Sequence, residues 1–251
     1  MKELCSPVKA SRRFGTVVEV NPLGSGKLCS FDCIYCDLGP SEIRMNQIRK
    51  ETDFPKVEDI DTAVRETLRS ANTANENIDT IVISGNGEPT LYPDLPDLID
   101  RLLAIRQEIV PQAKIVILTN GVHFDTNKLI AALNLLDERI IKLDCGNENA
   151  FKTTNRPLVR ANISRVTSGG RKLKDCIAQS LFYGGPQGND TKELIDEWLE
   201  VLGILQPKCV QIYTINRSPL VEDCRPLTED ELYTIQSLLK RKLSIESKVF
   251  T

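Results

Sequence analysis

The apolar positions along the chain change period in a regular order. Short runs dominated by apolar and β-branched residues recur at Ile78–Ser84, Lys114–Leu118, Arg139–Leu143, Cys176–Phe182 and Cys209–Ile215. Runs of this length bounded by turn residues read as strands buried on both faces. Between them the apolar residues step by three and four. Val57, Ile60, Ala63, Val64 and Leu68 predict a helix over 56–72, and similar spacing predicts helices over 95–110, 127–136 and 191–205. In the last of these Leu194, Trp198, Leu199 and Leu202 fall on one side, so Trp198 reads as core. Thr228 and Glu231 form a capping box for one more helix. With a β-branched strand ending at Val20, six strands alternate with helices, and parallel neighbours require crossovers of this length. The expectation is an α/β protein, a partial (β/α)6 TIM-like barrel of parallel strands. No linker or low-complexity run divides it, so one domain is expected over residues 1–251.

Composition narrows the setting. At 251 residues and 41% hydrophobic, the chain can bury a sizeable core. No apolar run approaches the roughly 20 residues that cross a bilayer, and 1–9 lacks the apolar core of a signal peptide. With eight cysteines, the expectation is a cytoplasmic protein in a reducing compartment, without membrane association. A net charge of -3 argues against indiscriminate nucleic-acid binding and leaves room for a local basic patch.

The densest chemistry is Cys29-Ser30-Phe31-Asp32-Cys33-Ile34-Tyr35-Cys36, with thiols at spacings of four and then three. Soft thiolates hold iron-sulfur clusters and zinc, and a compact loop lets three converge on one inorganic core. A structural zinc would want a fourth ligand, and the single histidine, His123, is far away in sequence. Three close cysteines cannot pair off as disulfides. Structural zinc, or scattered buried thiols, stays as the blander reading.

This CxxxCxxC spacing, with an aromatic immediately before the last cysteine, resembles the signature of the radical S-adenosylmethionine (SAM) superfamily. The resemblance implies one 4Fe-4S cluster held by Cys29, Cys33 and Cys36, with SAM on the fourth iron and Tyr35 against its adenine. It further implies reductive cleavage of SAM to a 5'-deoxyadenosyl radical, which takes hydrogen from a substrate. An electron donor such as flavodoxin or ferredoxin would supply the electron. The basic entry Pro7-Val8-Lys9-Ala10-Ser11-Arg12-Arg13-Phe14-Gly15 resembles a subgroup of small iron-sulfur oxidoreductases related to wyosine (tRNA-imidazoguanine) synthases. Archaeal wyosine synthases carry further cysteines there for a second cluster, where this sequence has Cys5 alone, and eukaryotic ones add a flavodoxin-like domain, which is not expected here.

Other candidates follow strand ends, where parallel α/β barrels gather their ligands. Gly85, Asn86, Gly87 and Glu88 stand where the superfamily places its Gly-Gly-Glu motif. By that resemblance Glu88 meets the SAM ammonium and the glycines admit ligand to the backbone; an empty βα turn explains the same residues. Asn120 follows the next strand. Lys142 and Asp144 resemble a ribose-binding position, with Lys142 near a carboxylate or substrate, although Asp144 also reads as a turn cap. By family analogy Gln179 and the segment from Tyr213 to Arg217 line the far wall. Asn155-Arg156-Pro157 resembles a recurrent element of the subgroup, making Arg156 a candidate contact to a carboxylate or substrate.

Between Phe151 and Lys174 lie seven basic residues and no acidic one, including Arg156, Arg160, Arg165, Arg171 and Lys172. Such a run is either a solvated helix face or a site for an anionic small molecule or RNA. The sequence therefore points to a radical SAM oxidoreductase of unidentified, anionic substrate. Wyosine-type tRNA modification and a noncatalytic iron-sulfur or zinc protein are the alternatives. Cys5, Cys145, Cys176, Cys209 and Cys224 lie fifteen or more residues apart, so no auxiliary cluster is expected, and Cys145 alone is a candidate for a substrate or redox role.

Overall fold

A computed structural model describes residues 4–41, 54–216 and 223–251, which form two compact units. The first comprises the described residues of 1–29, 42–119 and 123–139, and the second those of 30–41, 120–122 and 140–251.

In the first unit a hairpin of β1 (Lys9–Ser11) and β2 (Gly15–Val20) opens the sheet. Two parallel strands follow, β3 (Thr80–Ile83) against β2 and β4 (Lys114–Thr119) against β3. All four residues of β3 are buried, as a strand covered on both faces requires. Helix α1 (Val57–Thr73) turns Ile60, Val64, Leu68 and Ala71 inward, and α2 (Leu95–Ile109) turns Leu95, Leu98, Ile99, Leu102 and Ile105. Each of the Ile, Val and Leu side chains contributes about 1.5–3 kcal/mol through burial, which outweighs the weak intrinsic preference of a short helix. A third helix, α3 (Asn127–Leu133), starts on Thr126, whose hydroxyl accepts from Leu129 N–H.

In the second unit β5 (Glu138–Lys142, from Ile140 onward) pairs in parallel with β6 (Ile177–Gly184). Strand β7 (Cys209–Thr214) pairs in parallel with β6, and β9 (Glu246–Phe250) with β7. The two-residue β8 (Arg225–Pro226) pairs antiparallel with the end of β6. Two short helices, α4 (Glu148–Thr154) and α5 (Ile163–Gly170), come before β6. Helix α6 (Lys192–Leu205) joins β6 to β7, and α7 (Glu229–Leu243) carries the expected capping box. Trp198 is a core residue: its indole N–H donates to the Leu143 carbonyl and the Ser180 hydroxyl, and its ring stands edge-on to Phe182.

All six expected strands are present. The fifth runs Ile177–Gly184 rather than Cys176–Phe182, because β8 pairs with Tyr183 and Gly184 and extends it. The helix expected over 127–136 ends at Leu133. Among the described residues no helix is long and apolar enough to cross a membrane.

Candidate active site

The cysteine loop is built by interleaving anchors with thiols. Phe31 and Ile34 are fully buried in the second unit, whereas Cys33 and Cys36 are half-buried. Phe31 packs edge-on against Phe151 at 5.3 Å, and Ile34 joins Leu181, Tyr183, Ile215 and Cys224 in one apolar cluster. The main chain of 30–34 is clamped to the end of α4. Asp32 N–H donates to Arg156 O at 3.0 Å, Ile34 N–H to Thr154 O at 2.9 Å, and Leu158 N–H to Ser30 O at 2.8 Å. Arg156 adopts φ 45, a left-handed conformation that a side chain adopts only at a cost. Cys36 N–H closes a turn onto Cys33 O at 2.9 Å. The Asn155-Arg156-Pro157 element, expected to supply a substrate contact, thus braces the loop through its backbone, with the Arg156 side chain exposed.

Beside the loop, Asp144 gathers four donors, as many as a carboxylate has lone-pair sites. Tyr35 O–H and Asn155 Nδ2, the latter at 2.7 Å, donate to Oδ2. Leu181 N–H at 2.8 Å and Lys142 Nζ at 3.0 Å reach Oδ1. Lys142 also donates to Tyr213 O–H, and its ammonium lies over the rings of Tyr35 and Tyr213, 5.0 and 4.6 Å from their centroids. Burial pulls this ammonium down, but Asp144 and Tyr213 outweigh it, so Lys142 titrates above its ordinary value and stays charged. Burial, then the charge of Asp144, pushes Tyr35 well above the usual phenol range, keeping its hydroxyl a donor. With four donors in place, Asp144 is the hub of the network, where the sequence suggested a ribose contact. Asn189 supports it by donating to Asp144 O at 2.8 Å and Leu181 O at 2.7 Å.

Cys33 sits against this hub. Burial and then Asp144 push its thiol up to about 11, while the amide of Asn155 and the ammonium of Lys142 act the other way. A bound metal cation reverses such a preference by deprotonating the thiol. The donor set fits an iron-sulfur cluster: three thiols on one short loop, two of them on a braced turn, with an amide N–H already on one sulfur. The other five cysteines are all buried. Burial, then Asp144, pushes Cys145 well above the ordinary thiol range, which leaves it a poor nucleophile.

In the first unit the turn after β3 is equally specific. Gly85 and Gly87 adopt φ 80 and 146, and a Cβ at Gly87 would stand 1.8 Å from the Leu28 carbonyl oxygen. A Cβ at Gly85 would strike Asn21. These glycines are therefore required by the backbone of 21–28, which Asn86 also holds by donating Nδ2 to Gly24 O at 2.9 Å. The turn pairs directly with the residues that enter the cysteine loop, since Leu28 N–H donates to Asn86 O and Glu88 N–H to Leu28 O, both at 2.9 Å. Glu88 is buried and accepts from Thr90 N–H at 3.1 Å, Thr90 O–H at 2.5 Å and Thr119 O–H at 2.6 Å.

The remaining candidates are dispersed. Asn120 donates to Ser30 Oγ at 2.8 Å, bracing the loop from another strand end, and Gln179 donates to Gln211 at 2.9 Å within the sheet. Arg217 lies outside the described residues. Sequence reasoning missed Asn189 and Tyr183, and gave Tyr213 and Asn155 no specific part; Tyr183 shares a hydrogen bond with Thr154 at 2.9 Å.

The radical SAM superfamily model matches residues 25–202. A protein of Helicobacter pylori described as UPF0026 is 31% identical over 228 residues, 88% of this chain and 69% of its own length. A Brachyspira hyodysenteriae protein described as GTPase Obg is 30% identical over 97% of this chain, which spans only 36% of that protein. Among solved structures, TYW1 with a lysine-pyruvate adduct bound matches with a TM-score of 0.66 at 17% identity, covering 90% of this chain and 73% of that one. A radical SAM methyltransferase from Sphaerobacter thermophilus matches with a TM-score of 0.70 at 18% identity, covering 93% and 65%. The fold is the partial barrel of mostly parallel strands that these structures share. With the family model spanning the cysteine loop, the Gly85–Glu88 turn and the Asp144 hub, the chain belongs to the radical SAM superfamily, whose cofactors are a 4Fe-4S cluster and SAM.

Proposed function

We propose that this protein is a SAM-cleaving radical enzyme acting on an anionic substrate. When bound, the cluster supplies the electron that splits SAM to methionine and a 5'-deoxyadenosyl radical, which takes a hydrogen atom from the substrate. The observation that carries the reading is the attachment of the cysteine loop to a buried polar hub, through Tyr35 on Asp144 and Asn155 on Cys33.

In this reading Cys29, Cys33 and Cys36 hold three irons. The anchors Phe31 and Ile34 fix the loop before metal arrives, so little ordering is left to oppose assembly. Glu88 contributes negative charge for the SAM ammonium while its threonine partners hold it in place. Lys142, charged and half-buried, serves a carboxylate of SAM or substrate. Exposed Arg156, Arg160 and Arg171 recognise the anion, with a flavodoxin or ferredoxin as reductant. The resemblance of the entry Pro7–Gly15 to the wyosine-synthase-related subgroup keeps tRNA within the substrate class.

The test is anaerobic reconstitution with iron and sulfide, chemical reduction, and measurement of 5'-deoxyadenosine. About four irons per chain and production of 5'-deoxyadenosine are expected, with both abolished when Cys29, Cys33 and Cys36 are replaced by Ala. Iron retained by the triple variant, or a reduced cluster that leaves SAM intact, would reject the reading. Metabolite and RNA mass spectrometry of cells with and without the protein would then separate small-molecule from tRNA substrates.

A further inference from the structure

We infer that Asn155 is a positioning residue that raises the reduction potential of the cluster by donating a hydrogen bond to the sulfur of Cys33. The inference rests on Cys33 being a cluster ligand, as proposed above. The Asn155 side chain is buried and held from three sides. Its Nδ2 lies 2.7 Å from Asp144 Oδ2 and 3.6 Å from Cys33 Sγ, and its Oδ1 accepts from the Cys145 thiol at 3.6 Å. A carboxylate only accepts, so Asp144 dictates which end of the amide carries the hydrogens. One N–H then goes to Asp144 and the other to the sulfur.

That arrangement has a definite electrostatic sign. Adding one electron makes the cluster more negative, and the added charge spreads onto the ligand sulfurs. A donor hydrogen bond to sulfur favours this state, so the couple becomes easier to reduce. The donor acts alongside Lys142 and against Asp144, whose charge beside the same loop pulls in the opposite direction. The amide also donates to Asp144, but it is separable from the helix end and from the loop clamp. Asn155 caps α4 through its backbone N–H to Phe151 O at 2.9 Å, and the loop clamp uses the carbonyls of Thr154 and Arg156, so neither needs the side chain. Cys145, which no other step requires, fixes the acceptor end of the amide.

The experiment compares the reconstituted full chain with Asn155→Leu, which keeps the branched outline of the side chain, excludes water and removes the donor, and with Cys145→Ala, which removes only the contact to Oδ1. Cluster potentials are read without SAM in mediated redox titrations followed by electron paramagnetic resonance. Asn155→Leu is expected to keep its iron and to disfavour one-electron reduction about tenfold, a lowering of roughly 60 mV. Cys145→Ala should shift the potential by less than half of that. An unchanged potential in Asn155→Leu, or equal shifts in the two variants, would overturn the inference. A second measurement does not depend on the variants folding. Wild-type protein labelled with 15N in asparagine side chains should show 15N coupling to the reduced cluster in pulsed spectra, and its absence would equally overturn the inference. A wild-type chain that assembles no cluster refutes the proposed function instead, whereas one that cleaves SAM with an Asn155-independent potential refutes only this step.

Discussion

Glu88 and Asp144 are both buried carboxylates just beyond a parallel strand, yet they are held by different means. Glu88 accepts from neutral hydroxyl and amide donors of Thr90 and Thr119, one of these residues two positions away. Asp144 spreads its charge over a cation, a phenol, an amide and a backbone N–H, drawn from residues 35, 142, 155 and 181. The first carboxylate shapes a turn, and the second joins four distant segments of chain. A charge answered by neutral dipoles keeps attraction for a cationic ligand. One matched by an ammonium is committed to the fold, and its removal strands that ammonium.

The largest expected effect follows from the second case. Asp144→Ala leaves Lys142 half-buried without its ion partner and should cost about 3–5 kcal/mol of stability, read as a fall in the urea midpoint. The double variant Asp144→Ala, Lys142→Met should recover part of the loss; if it recovers none, the pair is not the hub's main tie. Next comes Glu88→Gln, which keeps an acceptor for both threonines and loses the charge. SAM affinity should weaken about ten- to a hundredfold, the ~1.5–3 kcal/mol of a charge-assisted bond, with iron content unchanged. Unaltered affinity would make Glu88 a turn residue only. Smaller still, Arg160→Glu should elute from heparin at lower salt while forming 5'-deoxyadenosine in the absence of substrate as before. Elution at the same salt would favour a solvated face for the basic run.

A further effect is a pH window in the metal-free protein. The Cys33 thiol is raised from 9.0 to about 11, so the fold keeps its proton after the unfolded chain has lost it. Stability from this source is complete below pH 9 and declines between pH 9 and about 11. Alkylation of Cys33 in a Cys29→Ala, Cys36→Ala background should show a midpoint near the upper value, and an ordinary thiol midpoint would count against the burial of the site.

Much of this was legible in the residues. Strands β3 to β7 announced themselves as apolar runs, α1 and α2 as three- and four-residue steps, and the thiol loop and glycine turn as motifs whose parts lie within a few positions. Helices α4 and α5 escaped because two turns carry too few periods to show. Their signal was Asn147 and Asn162, whose side chains accept from Ala150 and Arg165 N–H, both at 2.8 Å. Strand β9 mixes exposed and half-buried positions, as an edge strand does, and shows no apolar run. The hub was illegible for another reason. Sheet register brings Lys142 to Tyr213 across β6 and the anchored loop brings Tyr35 to Asp144, and no local pattern encodes a partner 71 or 109 residues away.

The left-handed turn at Arg156 bears on how sequence drift in this protein should be interpreted. What the cysteine loop takes from that position is a carbonyl direction, which glycine or asparagine supplies with less strain than arginine. Selection can therefore exchange the side chain for reasons of substrate alone while the loop beneath it is undisturbed. A relative lacking arginine there should be presumed to have changed its diet before it is presumed to have lost its metal.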